Sequence, residues 1–263
     1  MLKNIIQKKI NEQKINEKIK GIIKYKKLMK PFIFKINYNS IIPLNLYTCW
    51  HTKELPPLMR KNYDKLVETN PRITFHLYDE NDCKEFIKNN FDDDVLNSYN
   101  SLIPCSYKSD LWRYCVLYIN GGIYLDIKYK CSNGFKFLDL TEKEYFVRDY
   151  GNKNVYTALI VALPGNNILL NCINQIVLNV KNKNYGKDCL DPTGPTLLGK
   201  KFTKYEINSM TLYHDLIKSI NKYYIVKDDR IILSWYDGYR EEQSKYQKMQ
   251  HYGVLWNTKQ IYK

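Results

Sequence analysis

Lys108-Ser-Asp-Leu-Trp-Arg-Tyr-Cys-Val-Leu-Tyr-Ile-Asn-Gly-Gly-Ile-Tyr-Leu-Asp126-Ile-Lys128 is the most informative segment of this chain. From Ser109 to Asn120, apolar residues recur at helical spacing over a wide face, which is typical of a largely buried helix. Gly121 and Gly122 follow, and glycine readily adopts the left-handed backbone with which many helices end. The last part alternates apolar and polar residues, as a short strand does. The segment therefore predicts a helix, a tight turn and a strand.

This helix and strand would bring polar side chains together. Asp110 and Arg113 are three residues apart and share one face of the helix. In a strand, side chains alternate between the two faces, so Tyr124, Asp126 and Lys128 would point the same way. Burying such charges is costly unless they are paired or used. We therefore predict a functional site where the strand ends.

Several motifs, in this order along the chain, resemble those of glycosyltransferase family 32. The central one is the Asp/Arg pair followed by Gly-Gly-Ile-Tyr-Leu-Asp. The flanking ones are Ile42-Pro-Leu-Asn-Leu-Tyr-Thr-Cys-Trp50, Leu55-Pro-Pro, Asn70-Pro-Arg-Ile-Thr-Phe-His-Leu-Tyr, Asp191-Pro-Thr-Gly-Pro195 and the segment from His251 to Trp256. The resemblance spans most of residues 41–256. It implies a nucleotide-sugar-binding fold of the glycosyltransferase-A type and a mechanism that retains anomeric configuration.

The resemblance also implies roles for single residues. The residues with catalytic roles would be Asp110, Arg113, Asp126 and Lys128. The donor would be bound by Trp50, Asp110, Arg113, Tyr124, Asp126 and Trp256. Asp191 and Gly194 would lie on the acceptor side, and Asp126 and His251 would hold a metal, if one binds. Each has a structural alternative. Asp110 and Arg113 could form a surface ion pair, Asp126 could cap a turn, and Trp50, Tyr124 and His251 could be ordinary packing or hydrogen-bonded residues.

The chain departs from the family at one position. The family has Asp-x-Asp, whose second carboxylate binds the divalent metal that bridges the donor diphosphate, whereas this chain has Asp126-Ile127-Lys128. An ammonium group offers no ligand to a hard cation. Three readings follow: Lys128 contacts the diphosphate itself, Lys128 turns aside while Asp126 and His251 hold Mn²⁺ or Mg²⁺, or the transferase is inactive.

Composition sets wider limits. A chain of 263 residues can form one substantial domain without needing disulfides or a structural metal. Its seven cysteines have no Cys-x-x-Cys pair, which favours free thiols in a reducing compartment. No apolar stretch is long enough to cross a membrane, and the N-terminus lacks the apolar core of a signal peptide. We therefore expect a cytoplasmic protein.

The charge of the chain is uneven. Its formal net charge is +14, and ten lysines against two glutamates place +8 of this within residues 1–30. Isoleucines near helical spacing in this segment are consistent with a basic amphipathic helix, which could attach to an anionic membrane surface. A solvated helix packed on the domain is the alternative. We treat residues 1–38 as a basic helical appendage and residues 39–263 as the catalytic domain.

The rest of the chain alternates strands and helices, which predicts an α/β fold with a Rossmann-like, mainly parallel sheet flanked by helices. We expect strands at 43–49, 73–78, 123–128, 145–149, 156–163, 223–226 and 230–233. We expect helices at 56–68, 82–90, 109–120, 167–180 and 210–220, and a solvated acidic loop at 92–94. In such sheets ligands bind beyond the carboxyl ends of the strands, where the strand from Ile123 to Lys128 would end.

The function that follows is transfer of a hexosyl unit from a UDP- or GDP-linked sugar to a hydroxyl of a glycan, lipid or protein glycan, with retention of configuration. No residue is identified as a nucleophile. One alternative is an inactive nucleotide-sugar or glycan-binding homologue, suggested by Lys128. A less favoured one is a basic nucleic-acid-binding protein, because basic patches with aromatic residues can bind single strands.

Overall fold

The computed structural model describes residues 2–35 and 37–263, without the side chains of residues 2–5 and 8. Residues 1 and 36 of the predicted appendage lie outside the described part. The helices are α1 (Leu2–Leu28), α2 (Pro57–Thr69), α3 (Glu80–Asn90), α4 (Asp93–Ser101), α5 (Cys105–Asn120), α6 (Asn167–Lys181), α7 (Pro195–Gly199), α8 (Lys204–Ser209), α9 (Tyr239–Tyr246) and α10 (Tyr252–Asn257). The strands are β1 (Asn45–Cys49), β2 (Thr74–Tyr78), β3 (Gly122–Leu125), β4 (Tyr129–Cys131), β5 (Tyr145–Arg148), β6 (Val155–Ala162), β7 (Leu212–Ile217), β8 (Lys222–Lys227) and β9 (Arg230–Trp235).

In the described residues these strands form one sheet, in the order β2-β1-β3-β6-β5-β7-β8-β9-β4. The pairs β1–β2, β1–β3 and β5–β7 are parallel. The other five pairs are antiparallel. The prediction of an α/β sheet flanked by helices is confirmed, and the pairing of its strands is mixed; short connections account for the antiparallel pairs β7–β8 and β8–β9. At the β8–β9 turn, Asp228 and Asp229 both have positive φ, the geometry of a tight two-residue hairpin.

The sheet is covered on both faces. One face packs against α3 to α7 and α10 through a large apolar cluster in which α5 contributes Leu111, Trp112 and Cys115. The other face is covered by Phe32 and by the segment around Phe135 and Phe137. Because α5 is enclosed, its side chains are buried on nearly all sides, including those of Asp110 and Arg113. This confirms the buried central helix that its wide apolar face predicts.

The N-terminal helix α1 touches the domain near its C-terminal end. Gly21 lies against Ile217 and Ser219, the Tyr25 ring meets the edge of Tyr224 at 5.7 Å, and Lys24 pairs with Asp215 at 2.6 Å. With 3.6 residues per turn, Ile6 and Ile10 fall on a different side of the helix from Ile15, Ile19, Ile22 and Ile23, so these isoleucines form no single stripe. Among the described residues, no helix is both long and apolar enough to span a bilayer.

Two local predictions are wrong. Residues 210–220 were expected to be a helix, but Leu212–Ile217 forms strand β7 between β5 and β8, where pairing on both sides overrides a weak helical pattern. Residues 92–94 were expected to be a loop, but Asp92 caps α4 by accepting a hydrogen bond from the Val95 amide, and Asp93 and Asp94 lie in the first turn. Acidic residues suit that position because it faces the positive end of the helix dipole.

Candidate functional site

The α5–β3 connection carries the predicted charged residues to one edge of the sheet. Gly121 ends α5 with a φ of +61°, and Gly122 has a φ of +105°. A side chain on Gly122 would place its Cβ 2.6 Å from the Asn45 carbonyl oxygen of β1. Glycine is therefore required where β3 enters the sheet. Strand β3 ends at Leu125, earlier than predicted, and Asp126 and Lys128 lie in the turn at its carboxyl end.

Asp126 is the centre of a compact ion cluster. One of its oxygens, Oδ1, accepts a hydrogen bond from the Tyr124 hydroxyl at 2.7 Å and lies 3.3 Å from a terminal nitrogen of Arg113. The other oxygen, Oδ2, accepts from the Lys128 ammonium at 2.6 Å. The predicted convergence of Tyr124, Asp126 and Lys128 therefore occurs, and both carboxylate oxygens are engaged by the chain itself.

Arg113 joins this carboxylate to Asp110. Its guanidinium lies 3.3 Å from Asp110 and donates to the Thr157 carbonyl at 2.7 Å and to the Ser109 hydroxyl at 2.9 Å. It also packs over the Tyr124 ring, 4.3 Å from the ring centre. The Arg113 side chain is only 6% exposed, so the surface ion pair considered from sequence is excluded. The N–H groups of Arg113 all contact groups of the protein itself, and Arg113 thereby fixes the carboxylates of Asp110 and Asp126 relative to each other.

Asp110 is held from the opposite side by the loop that precedes α7. Thr193 donates its hydroxyl to Asp110 Oδ2 at 2.8 Å. At Gly194 a Cβ would lie 3.1 Å from the same oxygen, so a residue without a side chain lets the loop come this close. The Pro-Thr-Gly-Pro motif thus supports a buried carboxylate of the site.

These contacts set the protonation of the cluster. Burial alone would raise the pKa of Asp126, but Lys128 and Arg113 lower it to about 2. Burial would lower the pKa of Lys128, and Asp126 instead raises it to about 12. Burial raises the pKa of Asp110 above its usual value, against the opposing effect of Arg113. At neutral pH Asp126 is a carboxylate and Lys128 an ammonium.

Two cavities meet at this cluster. The smaller, of about 150 Å³, is lined by Trp50 and His51 beyond the end of β1, together with Tyr124. The larger, of about 600 Å³, is lined by Asp110, Thr157 and Gly194, among others. Arg113, Asp126 and Lys128 line both. Since an ammonium has three donors and Lys128 gives one to Asp126, it has donors left for a ligand that spans the two cavities.

The other predicted residues are placed as follows. Trp50 is half-buried in the smaller cavity, and His251 lines the larger one while its Nδ1 accepts from the Gly253 amide at the start of α10. Trp256 donates to the Tyr185 carbonyl at 2.7 Å and is not among the residues that line either cavity. Asp191 accepts hydrogen bonds from the Lys187 amide in its own loop and from Lys200, which follows α7, and it also lies outside both linings.

The residues present do not fit a divalent cation at Asp126. Both oxygens of that carboxylate are occupied, and Lys128 presents a positive charge at the position of the family's second carboxylate. The Nδ1 of His251, the partner predicted from sequence, accepts a backbone hydrogen bond. Among the side chains that the structure describes, no group of three or more His, Cys, Asp or Glu residues is arranged to hold a metal ion.

The sequence interpretation missed a row of four aromatic rings, three of which (Tyr156, His214 and Trp235) line the larger cavity. The rings of Tyr156, His214, Tyr223 and Trp235 stack in a column across strands β6, β7, β8 and β9, with successive centres 4.0, 6.5 and 3.9 Å apart and planes within 11° of parallel. The Lys128 ammonium lies 5.5 Å from the Tyr156 ring and 5.4 Å from Trp235. The strands at 223–226 and 230–233 are predicted from the sequence, but reading residues 210–220 as a helix hid the register that places His214 in this row.

Comparisons with known proteins agree with the geometry. Residues 56–146 match the family model described as a glycosyltransferase sugar-binding region containing a DXD motif. An uncharacterised glycosyltransferase of Acanthamoeba polyphaga mimivirus is 28% identical over 183 residues, which cover 68% of this chain and 72% of that protein. The inositol phosphoceramide mannosyltransferase 3 of Schizosaccharomyces pombe is 28% identical over 96 residues, 36% of this chain and 27% of its own length.

Among solved structures, the PaToxG glycosyltransferase superposes with a TM-score of 0.46 at 18% identity, over 73% of this chain and 78% of that one. The family-model match includes the segment from Lys108 to Lys128, which builds the ion cluster. The resemblance seen in the sequence is confirmed for residues 56–146, the part of the chain that matches the family model, and the two relatives are likewise named as transferases.

Proposed function

We propose that this protein is a nucleotide-sugar-dependent glycosyltransferase of the glycosyltransferase-A type, which moves a hexosyl unit to a hydroxyl acceptor with retention of configuration. The observation that carries the proposal is the position of Lys128 at the junction of two cavities, beside Asp126 and Arg113. A nucleotide sugar has the matching layout, with a base and ribose at one end, a sugar at the other and a diphosphate between them.

In this arrangement the base of the nucleotide enters the smaller cavity. Trp50, just beyond the end of β1, offers an aromatic face for the base, and its indole nitrogen is buried without a partner among the described residues. Tyr124 and Asp126 lie where this cavity meets the cluster. The UDP- and GDP-linked donors remain equal candidates, because aromatic stacking alone does not distinguish the bases.

The sugar occupies the part of the larger cavity beside Asp110. A carboxylate has about four acceptor positions, and Thr193 and Arg113 take only part of that capacity. Asp110 can therefore accept hydrogen bonds from sugar hydroxyls. Arg113 contributes indirectly, since its donors already hold Asp110 and Asp126 in place. Preorganised groups of this kind need no rearrangement during the reaction.

Lys128 takes over the role for which the family uses a metal ion. The departing nucleoside diphosphate gains negative charge as the bond to the anomeric carbon breaks, and a fixed ammonium neutralises that charge. Because Asp126 is already bound to Lys128 and Arg113, we propose that transfer does not require Mn²⁺ or Mg²⁺. No residue is assigned as a nucleophile. The cluster orients the donor hydroxyls and the leaving group.

The same Lys128 favours a second candidate, a homologue that binds nucleotide sugars without transferring them. A shift of the melting temperature with nucleotide sugars, in manganese, magnesium and chelator, identifies the donor. An assay for released nucleoside diphosphate then separates the two candidates. We expect turnover of one donor in chelator. Binding without transfer or donor hydrolysis under every metal condition would identify a binding module, and no binding of any donor would contradict both candidates.

The Lys128→Asp variant restores the Asp-x-Asp pattern of the family. If Lys128 replaces the metal, this variant loses activity in chelator and recovers part of it when manganese is added. The wild type should show no such recovery. A metal profile that is the same in variant and wild type would count against the proposed role of Lys128.

A further inference from the structure

We propose that His214 forms the acceptor subsite of the larger cavity, where its Nε2 accepts a hydrogen bond from the hydroxyl that receives the sugar. The inference rests on the proposed transferase activity and assigns the place of the second substrate. The ligand class is a molecule that presents an aliphatic hydroxyl, such as a sugar or a polyol. During donor hydrolysis, water takes the same position.

His214 is fixed in the wall of the cavity by Asp149. Strand β5 ends at Arg148 and pairs in parallel with β7, which brings Asp149 beside His214. The Nδ1 of His214 lies 2.9 Å from Asp149 Oδ1, and that oxygen also accepts from the Tyr150 amide at 2.8 Å. The side chain of His214 is 10% exposed, and it lines the same cavity as Asp110 and Lys128.

The other ring nitrogen is left without a partner. Asp149 as a carboxylate can only accept, so the proton of the neutral imidazole lies on Nδ1 and the lone pair on Nε2. In the described structure, Nε2 is buried and makes no hydrogen bond. A buried acceptor without a donor is unfavourable, and a hydroxyl is the donor that this position lacks.

The imidazole is flanked by two tyrosine rings, one of them in direct stacking contact. Tyr156 stacks on one face at 4.0 Å with planes 8° apart, and the Tyr223 ring lies 6.5 Å away on a nearly parallel plane. His214 therefore meets a ligand through its edge, by a hydrogen bond, and does not act as a stacking platform. This favours recognition of a hydroxyl over recognition of a planar base.

The position suits an acceptor more than the donor. Lys128 lies 5.5 Å from the centre of the Tyr156 ring, and His214 is one stacked ring further along the wall. In the described structure, His214 is bonded to Asp149 and makes no hydrogen bond to Asp110, Arg113, Asp126 or Lys128. The cavity, at about 600 Å³, is within the range of about 300–1,000 Å³ that accommodates drug-sized ligands, so it has room for an acceptor beside the donor sugar.

The test compares His214→Phe with His76→Phe. Phenylalanine keeps the stacked ring and removes both nitrogens. His76 is a matched control because it also lies in a strand, stacks on Tyr47 at 4.9 Å and bonds Asn45 at 2.9 Å, but lines neither cavity of the site. The wild type is first assayed for hydrolysis of UDP-glucose and GDP-mannose, and each variant is then measured with the donor that turns over.

We expect His214→Phe to lower kcat for donor hydrolysis about ten-fold or more, with the donor Kd within about two-fold of the wild-type value. His76→Phe should match the wild type in both. The His214→Gln variant, whose amide oxygen can still accept from a hydroxyl, should retain more activity than His214→Phe. If a thermal melt shows that His214→Phe is unfolded, the activity of His214→Gln serves as the test instead.

Two results would overturn the inference. One is an unchanged kcat in both His214 variants. The other is a weaker donor Kd with kcat intact, which would place His214 on the donor. A wild type that hydrolyses neither donor would contradict the proposed function itself, and the inference with it, and this outcome is seen before any variant is made.

Discussion

The α5–β3 segment and the N-terminal helix α1 are both rich in charge, but they use it differently. In the first, Asp110, Arg113, Asp126 and Lys128 have side chains 6–20% exposed, and each is paired with an opposite charge. In α1, every lysine whose side chain is described is exposed, and Lys24, the one that pairs, is 54% exposed. Residues 1–30 carry +8 of the net charge of +14, whereas the proposed chemistry depends on the first region.

The difference shows why composition is a weak guide to function here. Buried charges lose their hydration and keep their positions only when partners replace the water, so each one constrains its neighbours. Exposed lysines keep their hydration and constrain little. Among the described side chains of α1, the lysines lie on several sides of the helix, and such a distribution of charge gives no specific support to nucleic-acid binding.

The largest effect on stability is expected from Arg113→Ala. The substitution leaves Asp110 and Asp126 buried without their shared cation, which we expect to lower the free energy of unfolding by about 3–5 kcal/mol. The exposed Arg72 provides the matched control, and Arg72→Ala should change stability by less than about 0.5 kcal/mol. Urea denaturation measures both. Equal effects of the two variants would show that the buried cluster is not a stabilising network.

The second-largest effect on the free energy of unfolding is expected at acid pH. The pKa of Asp126 falls from 3.8 to about 2 on folding, so this carboxylate contributes stability above about pH 4. The contribution, about 2.5 kcal/mol, is lost as the pH falls from about 4 to about 2. The difference in unfolding free energy between wild type and Asp126→Asn should therefore shrink over that range. Asp110, whose pKa is raised, works in the opposite direction, but it is present in both proteins.

The control for this experiment is Asp94→Asn, since the Asp94 side chain is 56% exposed and pairs with an exposed lysine. Its difference from wild type should stay small at every pH. If Asp126→Asn differs from the wild type by the same amount at pH 2 and pH 6, the carboxylate is not held by Lys128 and Arg113 as described.

The smallest effect is expected in α1. Lys24→Ala removes an ion pair with Asp215 in which the lysine is largely exposed, and such pairs contribute roughly 0–1 kcal/mol. Thermal unfolding of Lys24→Ala in low and high salt should show a minor loss that salt removes. A loss comparable to that of Arg113→Ala would mean that α1 is as integral to the domain as α5, against the comparison drawn above.

Much of the site could be predicted from sequence because its signals are local. Asp110 and Arg113 are one helical turn apart, and Gly121 with Gly122 fixes where the helix ends and the strand begins. The turn at Asp126 to Lys128 keeps the alternation of a strand closely enough that the side chains converge although β3 ends at Leu125. The α/β class followed from the alternating helices and strands.

The remainder depends on contacts between distant parts of the chain. His214 meets Asp149 only because β7 pairs with β5, and no local pattern in residues 212–217 distinguishes a strand there. The hydrogen bond from Thr193 to Asp110 joins residues that are 83 positions apart in the sequence. The occupation of both Asp126 oxygens is likewise a tertiary property, which leaves the effect of Lys128 on metal binding open at the level of sequence.

The central claim is that the ion cluster binds a nucleotide sugar with Lys128 in place of a metal ion. Calorimetric titration of the donor into the protein, in the presence of chelator, tests this claim most directly. The matched variants are Lys128→Met and Lys130→Met, since Lys130 is two residues away and pairs with an exposed aspartate. We predict that wild type and Lys130→Met bind with a Kd that manganese changes by less than about two-fold, and that Lys128→Met binds about ten-fold more weakly or worse. Donor binding by the wild type only when manganese is present, or equal binding by Lys128→Met, would contradict the account.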